Sequence, residues 1–276
     1  MIMGGGAIGD FRVAEKPMSP FVATSHADFA NACLAYHEAR GLTGTPYVVL
    51  AASAKDTPET FADSVAQKTH IYGQYGLEVR VLHTFEAKID LDAAQELIDG
   101  AAGMDMPGGS TDRAFAYWVK TGLLQPIVFA IAAGLPFYGH SAGMIIWAAQ
   151  ALTDSESYGL EKGVPWLYQM RTYTGTFDLA MCPHAADNAR KFTYNEKDYG
   201  PDTTRRDVFE EKLVGSGLPG LAIDGNTWVV ITGPTATVYG DGVVSVYTLN
   251  PDGSHTRNDL TAGQSFNISE LCATAS

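Results

Sequence analysis

Residues 137–144 read FYGHSAGM. A serine stands between glycines at i−2 and i+2, directly behind the apolar run LPFY at 135–138 and ahead of the apolar stretch 142–152. This is the G-x-S-x-G pattern of a nucleophile elbow, in which a strand turns sharply into a helix. Side chains at the two glycine positions would collide with neighbouring backbone, so glycine is required there. The turn lifts the Ser141 hydroxyl to the carboxyl end of a sheet, where open α/β folds bind their ligands. The N-terminus of the following helix adds a field that favours a developing oxyanion. A five-residue pattern also arises by chance, and its bland alternative is a small-residue turn in a buried α/β unit. A strand before it and a helix after it are the context that gives it weight.

The flanking sequence supplies that context. PYVVLAA at 46–52 is a buried-strand pattern, and LEVRVLHTF at 77–85 alternates like a strand. Thr57-Pro58-Glu59 opens a helix over 57–75 with a hydroxyl cap, a proline and an acid, and Gly76 ends it. Helices are predicted over 91–98, 111–120 and 124–133, and short strands over 101–106 and 135–138. The apolar stretch 142–152 reads as a long buried helix. Strand and helix alternating in this way predict an α/β fold with a mostly parallel sheet and helices on both faces. From residue 226 onward the chain changes character. Runs at 228–232, 235–239 and 243–249 are β-rich and separated by Gly-Pro, Gly-Asp-Gly and Pro-Asp-Gly turns, so an antiparallel β extension is expected over about 226–276. Residues 10–44 and 155–205 show no clear periodicity and are expected to hold long loops. The whole is expected to form one domain over 1–276.

Composition narrows the partners. The 276 residues carry 31 acids against 18 bases, a net charge of −13, so nucleic acid and anionic membrane surfaces are poor partners. No run of 18 apolar residues occurs, so no membrane-spanning helix is expected. The first ten residues, MIMGGGAIGD, lack the basic and long apolar regions of a signal peptide, and a cytoplasmic location is expected, with an upstream leader left open. The three cysteines, Cys33, Cys182 and Cys272, are widely spaced and without a CxxC, which argues against a disulfide framework or a zinc site.

Ser141 is a weak nucleophile alone and needs a histidine within hydrogen-bond reach, itself oriented by a carboxylate. His140 is adjacent on the elbow, where neighbouring side chains diverge, so it reads as a pocket or structural residue. His26, His37, His70 and His83 precede the elbow in helical or strand patterns and read as surface or packing residues. His184 follows the apolar run at 177–182 and is delivered by a strand end into a loop, where a site at the top of a sheet wants it. Gly108-Gly109 sits between a strand and a helix, so the backbone N–H groups of Gly109 and Ala142 are candidates for an oxyanion hole, against the alternative of a plain turn.

Four segments in register, PGGST at 107–111, TGLLQPI at 121–127, YGHSAG at 138–143 and Pro183-His184, resemble the dipeptidase E (aspartyl dipeptidase) family of serine peptidases, to which cyanophycinases are related. The likeness runs from about residue 46 to 248. It implies a flavodoxin-like fold related to class I glutamine amidotransferases, and it carries Ser141 over as nucleophile, His184 as base and Gly109 with Ala142 as oxyanion donors. The family's acid stands fifteen residues after the serine, which here is Glu156, with Asp154 as the fallback. In cyanophycinases the acid comes from the segment matching 220–225, where Gly225 occupies its place and Asp224 is adjacent. An arginine is the natural clamp for the extra carboxylate of an aspartyl substrate. Arg205 matches a family arginine after the histidine, Arg190 falls where cyanophycinases have a substrate-binding basic residue, and Ser110, a third substrate-binding candidate, stands where the family has asparagine or another acidic or amide residue.

The resulting expectation is a serine peptidase that cleaves short peptides with N-terminal aspartate through an acyl-enzyme, without metal or organic cofactor, with a homodimer as the candidate assembly and the oligomeric state left open. A cyanophycinase-like hydrolase of β-aspartyl-arginine is the enzymatic alternative. A non-catalytic amidotransferase-like binding domain is the alternative from another class. An α/β-hydrolase esterase would need a late histidine, and only His255 is available.

Overall fold

The computed structural model describes residues 1–4, 20–82, 89–157, 167–187, 192–194, 197–199 and 203–273. They fall into two compact units. One runs to Gly139, and the other takes in the chain from His140 together with Met3 and Gly4.

The chain opens with strand β1 (Ile2–Gly4) and helix α1 (Pro20–Ala39). Then come β2 (Tyr47–Leu50), α2 (Pro58–Gly73), β3 (Glu78–Val81), α3 (Leu91–Asp99), β4 (Gly103–Met106), α4 (Thr111–Thr121), α5 (Leu124–Ala132) and β5 (Phe137–His140). Strand β2 pairs in parallel with β3 through Tyr47↔Glu78 and with β4 through Val48↔Gly103. β4 continues in parallel to β5 through Met104↔Phe137. The YVVL segment of β2 is buried throughout, as a strand covered on both faces and flanked on both sides should be. Edge strand β3 keeps Glu78 and Arg80 toward solvent, with Arg80 over the Tyr47 ring at 3.8 Å.

Caps set the helix starts as the sequence implies. Thr57 and Thr60 form a reciprocal capping box behind Pro58. The Asp90 carboxylate accepts from the N–H groups of Asp92 and Ala93. The stretch around 10–44, expected to be loop, contains the twenty-residue α1. That helix packs so closely on β4 that a Cβ on Gly103 would sit 2.4 Å from Cys33 Sγ and 2.9 Å from Phe29 Cζ. Tertiary packing, with little local patterning, makes it a helix.

A charged group lies inside this unit. Lys68 Nζ is 2.7 Å from both Asp105 Oδ2 and His26 Nε2, and Lys68 and Asp105 are 3% and 0% exposed. Tyr72 donates its hydroxyl to the same carboxylate oxygen, and the Lys68 ammonium stands 4.9 Å above the Tyr138 ring. Burial and the neighbouring Asp105 push the Tyr72 phenol well above its ordinary range.

The second unit contains α6 (Ala142–Ile145), β6 (Ala148–Thr153), β7 (Gln169–Thr172), β8 (Phe177–Pro183), β9 (Phe192–Tyr194), β10 (Lys197–Tyr199), α7 (Arg205–Leu213), β11 (Gly220–Ile223), β12 (Thr227–Thr232), β13 (Thr235–Gly240), β14 (Val244–Leu249), β15 (His255–Leu260), β16 (Ser265–Asn267) and α8 (Ile268–Ala273). Its six-stranded sheet has the order β15-β14-β11-β8-β6-β7. β8 runs parallel to both of its neighbours, β11 and β6, while the outer pairings are antiparallel. The expected C-terminal extension is the set β12–β16. Of these, β12, β13 and β16 form antiparallel pairs with each other, and β14 and β15 extend the sheet beyond β11.

One element differs in kind. Where a helix was expected over 142–152, α6 lasts four residues and the chain re-enters the sheet as β6. A short apolar run does not distinguish a buried helix from a buried strand. Here the open edge of β8 and the partner β7 decide for a strand, and Trp147 closes the helix by donating its indole N–H to Gly143 O at 3.0 Å. On the sheet, α7 packs Phe209 and Leu213 among Leu152, Ala180, Cys182, Ala222 and Tyr247. No single helix among the described residues is long and apolar enough to cross a membrane.

Removing one member of the buried ion pair leaves the other charge unpaired in the core. Lys68→Met is expected to destabilise the protein by about 3–5 kcal/mol. The double variant Lys68→Met/Asp105→Leu is expected to recover most of that loss, as read from urea denaturation midpoints.

Candidate active site

The elbow begins where β5 ends. Ser141 has φ 54° and ψ −117°, a conformation that costs a non-glycine residue on the order of 1–3 kcal/mol and persists only where the surroundings hold it. They do so through the backbone. Ser141 N–H donates to Gly4 O at 3.1 Å, and Ser141 O accepts from both Met144 and Ile145 N–H, at 3.0 and 3.1 Å. The chain therefore turns within one residue, and Ala142 N–H, at the start of α6, has no backbone partner among the described residues. Ser141 itself is half-buried, while Ala142 is buried.

His184 comes off the end of β8, one of the two central strands of its sheet, as the sequence predicts. It too has a positive φ, of 53°. Among the described non-glycine residues only Ser141, His184 and Asn226 do. The turn that follows is clamped on three sides. Ala185 N–H donates to Ile223 O of β11 at 3.0 Å, Arg206 N–H to Ala185 O at 2.9 Å, and Arg205 N–H to Asp187 O at 2.9 Å. Asp187 N–H closes the turn on His184 O at 3.0 Å. The imidazole is largely enclosed. Burial first, and the nearby Arg205 guanidinium second, lower its pKa to about 3, so the ring is neutral near pH 7.

The candidate acids have distinct partners. Glu156, the acid assigned by resemblance, lies in a 3-10 turn at 155–157 and directs its carboxylate to Arg171 and Gln169 of β7, the latter donating at 2.6 Å. The fallback Asp154 has Oδ2 3.7 Å from Arg205 Nη1. Asp224 pairs with Arg206 and accepts from Val243 N–H at 2.9 Å. The carboxylate beside the imidazole is Asp187, with Oδ2 3.6 Å from His184 Nδ1. Sequence reasoning missed it. The signal available was an acid three residues past the histidine, the spacing at which a tight turn brings side chains together. Burial pushes the Asp187 carboxyl up, against the pull of Arg205 and with Asp224 adding to the rise.

Other expected site residues have structural uses. Arg205, expected to reach a substrate carboxylate, is 7% exposed. Its guanidinium lies against Asp154 and 4.9 Å over the Tyr168 ring, because a buried cation needs a counter-charge and a π-face in place of water. Ser110, expected to contact substrate, is buried and caps α4 by accepting from Arg113 N–H at 3.3 Å. Gly109, within the first unit, has φ +147°, and a Cβ there would fall 2.2 Å from Ala54 O, so the turn admits only glycine. Arg190 lies outside the described residues. His255, the late histidine an esterase would need, has Nε2 2.8 Å from Leu218 O and is committed there. The described residues contain no group of three His, Cys, Asp or Glu side chains placed to hold a metal ion.

Comparison with known proteins bears on the family and the fold. A model of Peptidase family S51 matches residues 46–239. The solved structure of a peptidase from an acI-B1 Actinobacterium shares the fold, with a TM-score of 0.66 over 96% of this chain and 95% of that one at 18% identity. A putative Peptidase E protein from Listeria monocytogenes EGD-e aligns at 16% identity over 87% of this chain and 98% of that one, with a TM-score of 0.49. The pyridoxal 5'-phosphate synthase subunit PdxT of Bifidobacterium adolescentis is 37% identical over 68 residues, 25% of this chain, and the match spans a third of that protein's length. The fold is the α/β, flavodoxin-like one the sequence predicts.

Neutrality of His184 in the folded state has a consequence for stability. Between pH 6.5 and about 3 the unfolded chain binds a proton at this residue and the folded chain does not. Its contribution is therefore full above pH 6.5 and lost as the pH falls toward 3. His184→Gln is expected to flatten part of the acid destabilisation. Between pH 7 and 4.5 the wild type should lose on the order of 2–3 kcal/mol more than the variant, by urea denaturation.

Proposed function

From the premise that the chain belongs to peptidase family S51, and is thus a serine-type peptidase, we propose that Ser141 and His184 hydrolyse short peptides carrying an N-terminal aspartate. The observation that carries this reading is the Ser141 backbone at φ 54°, ψ −117°, at the end of a parallel strand. A serine is held in that strained conformation where its hydroxyl must project from the turn. The elbow also leaves an amide N–H beside it, that of Ala142, for a developing oxyanion.

The chemistry then follows in two balanced halves. Ser141 Oγ attacks the peptide carbonyl carbon while its proton passes to a neutral His184. The C–N bond breaks as the imidazolium returns that proton to the leaving amine, giving an acyl-serine and a free amino group. A water then loses its proton to His184 and displaces Ser141, which recovers its hydrogen. A neutral ring is the competent form of the base, and burial beside Arg205 keeps it in that form well below pH 6.5. The aspartyl preference is supported by the resemblance of the segments at 107–111, 121–127, 138–143 and 183–184. With Arg205 turned inward, Arg190 is the arginine left to meet the aspartyl carboxylate.

A fluorophosphonate probe should label the wild-type protein at Ser141, and Ser141→Ala should abolish labelling. Asp-Leu should be cleaved at least tenfold faster than Ala-Leu in kcat/KM, and the acid limb of that profile should lie below pH 6.5. Cleavage of β-aspartyl-arginine in preference to Asp-Leu would move the assignment to the cyanophycinase-like alternative. Absence of labelling would favour the non-catalytic binding domain.

A further inference from the structure

Building on the Ser141–His184 reading, we propose that Asp187 is the carboxylate that orients His184, completing a Ser141–His184–Asp187 set in place of one closed by Glu156. Of the four acids that are candidates to orient the histidine, three have other partners. Glu156 is held by Arg171 and Gln169 on β7. Asp154 faces Arg205. Asp224 is tied to Arg206 and to the Val243 amide. Asp187 alone has an oxygen against the imidazole, 3.6 Å from Nδ1.

Two buried atoms point the same way. His184 Nδ1 and Asp187 Oδ1 both lack a hydrogen-bond partner among the described residues. Pairing them removes two unsatisfied buried groups at once, each of which otherwise carries a desolvation penalty of about 1–3 kcal/mol. Catalytic hydrogen bonds are commonly long in the resting enzyme and tighten with substrate in place. The backbone is already set for this contact. Asp187 N–H binds His184 O, and Arg205 N–H holds Asp187 O, so the two side chains rise from one clamped turn.

With Nδ1–H donating to Asp187, the ring takes the tautomer that leaves Nε2 as the acceptor for the Ser141 proton. The carboxylate then faces the imidazolium as it forms. That counter-charge is needed here, because Arg205, approaching from α7, opposes the imidazolium, and Asp224, at the end of β11, acts on Asp187 itself. Asp187 is thus a positioning residue that acts through His184.

The test compares Asp187→Asn, Asp187→Glu and Glu156→Gln with wild type, Ser141→Ala and His184→Ala. The readouts are fluorophosphonate labelling rate, kcat and KM on Asp-Leu, and the pH profile, with thermal unfolding as the fold control. Asp187→Asn should lower kcat and the labelling rate by about 10³–10⁴-fold with KM little changed, since the amide favours the wrong tautomer. Asp187→Glu should recover about tenfold of that loss and remain at least tenfold below wild type. Should Asp187→Asn not fold, Asp187→Glu alone carries the test, with an expected tenfold or larger fall in kcat at unchanged KM. Wild-type labelling and pH profile in whichever of these variants folds would overturn the proposal, as would a loss confined to Glu156→Gln. Failure of the wild type to label at Ser141, or equal labelling of His184→Ala, would instead overturn the Ser141–His184 reading beneath it.

Discussion

The clamp on the turn at 184–187 is the constraint on which the site depends. A histidine at the end of an inner strand can serve as base only if the backbone carrying it does not drift. Three hydrogen bonds from β11 and the first residues of α7 prevent that. Their donors and acceptors are main-chain groups, so the arrangement rests on packing more than on particular side chains. Phe209 and Leu213 press α7 onto the sheet, and a Cβ on Gly220 would fall 2.9 Å from Leu213 Cδ2. Burial of such side chains contributes about 1.5–3 kcal/mol each. The capping box of Thr204 and Asp207 starts the helix at the point where its first amides meet the turn.

That placement has an electrostatic cost. Arg205 and Arg206 stand in the first turn of α7, where the helix field disfavours cations. Each has an acid opposite, Asp154 and Asp224, and Arg205 also has the face of Tyr168. The chain thereby keeps a positive charge behind the proposed base, and burial together with that charge keeps the imidazole neutral. The same logic appears in the first unit, where Lys68 is accommodated in the core by Asp105, His26 and two tyrosine rings. In both places an enclosed cation is compensated by a carboxylate and aromatic surface.

The parts of this site that steric rules dictate were legible in the sequence. Glycines on both sides of Ser141 and an apolar run ending at His184 follow from local backbone demands. What depends on side-chain direction was not legible. The family resemblance points to Glu156, but only the fold reveals that Arg171 and Gln169 lie across from it on β7. Arg205 reads as a clamp until the burial of its guanidinium is seen. The stretch 142–152 is apolar enough for either helix or strand, and the sheet edge decides. α1 carries little amphipathic signal, since it is a helix by virtue of what it packs against. Asp187 was overlooked for the opposite reason, being so near His184 that it passes for part of the turn.

The central claim is that Ser141 and His184 act together. A crystal structure of the protein inactivated with a fluorophosphonate tests it most directly. The account predicts phosphorus on Ser141 Oγ, with His184 Nε2 within about 3.2 Å of that oxygen. Phosphorus on another residue, or a His184 ring too far from Ser141 to exchange a proton with it, would contradict the account.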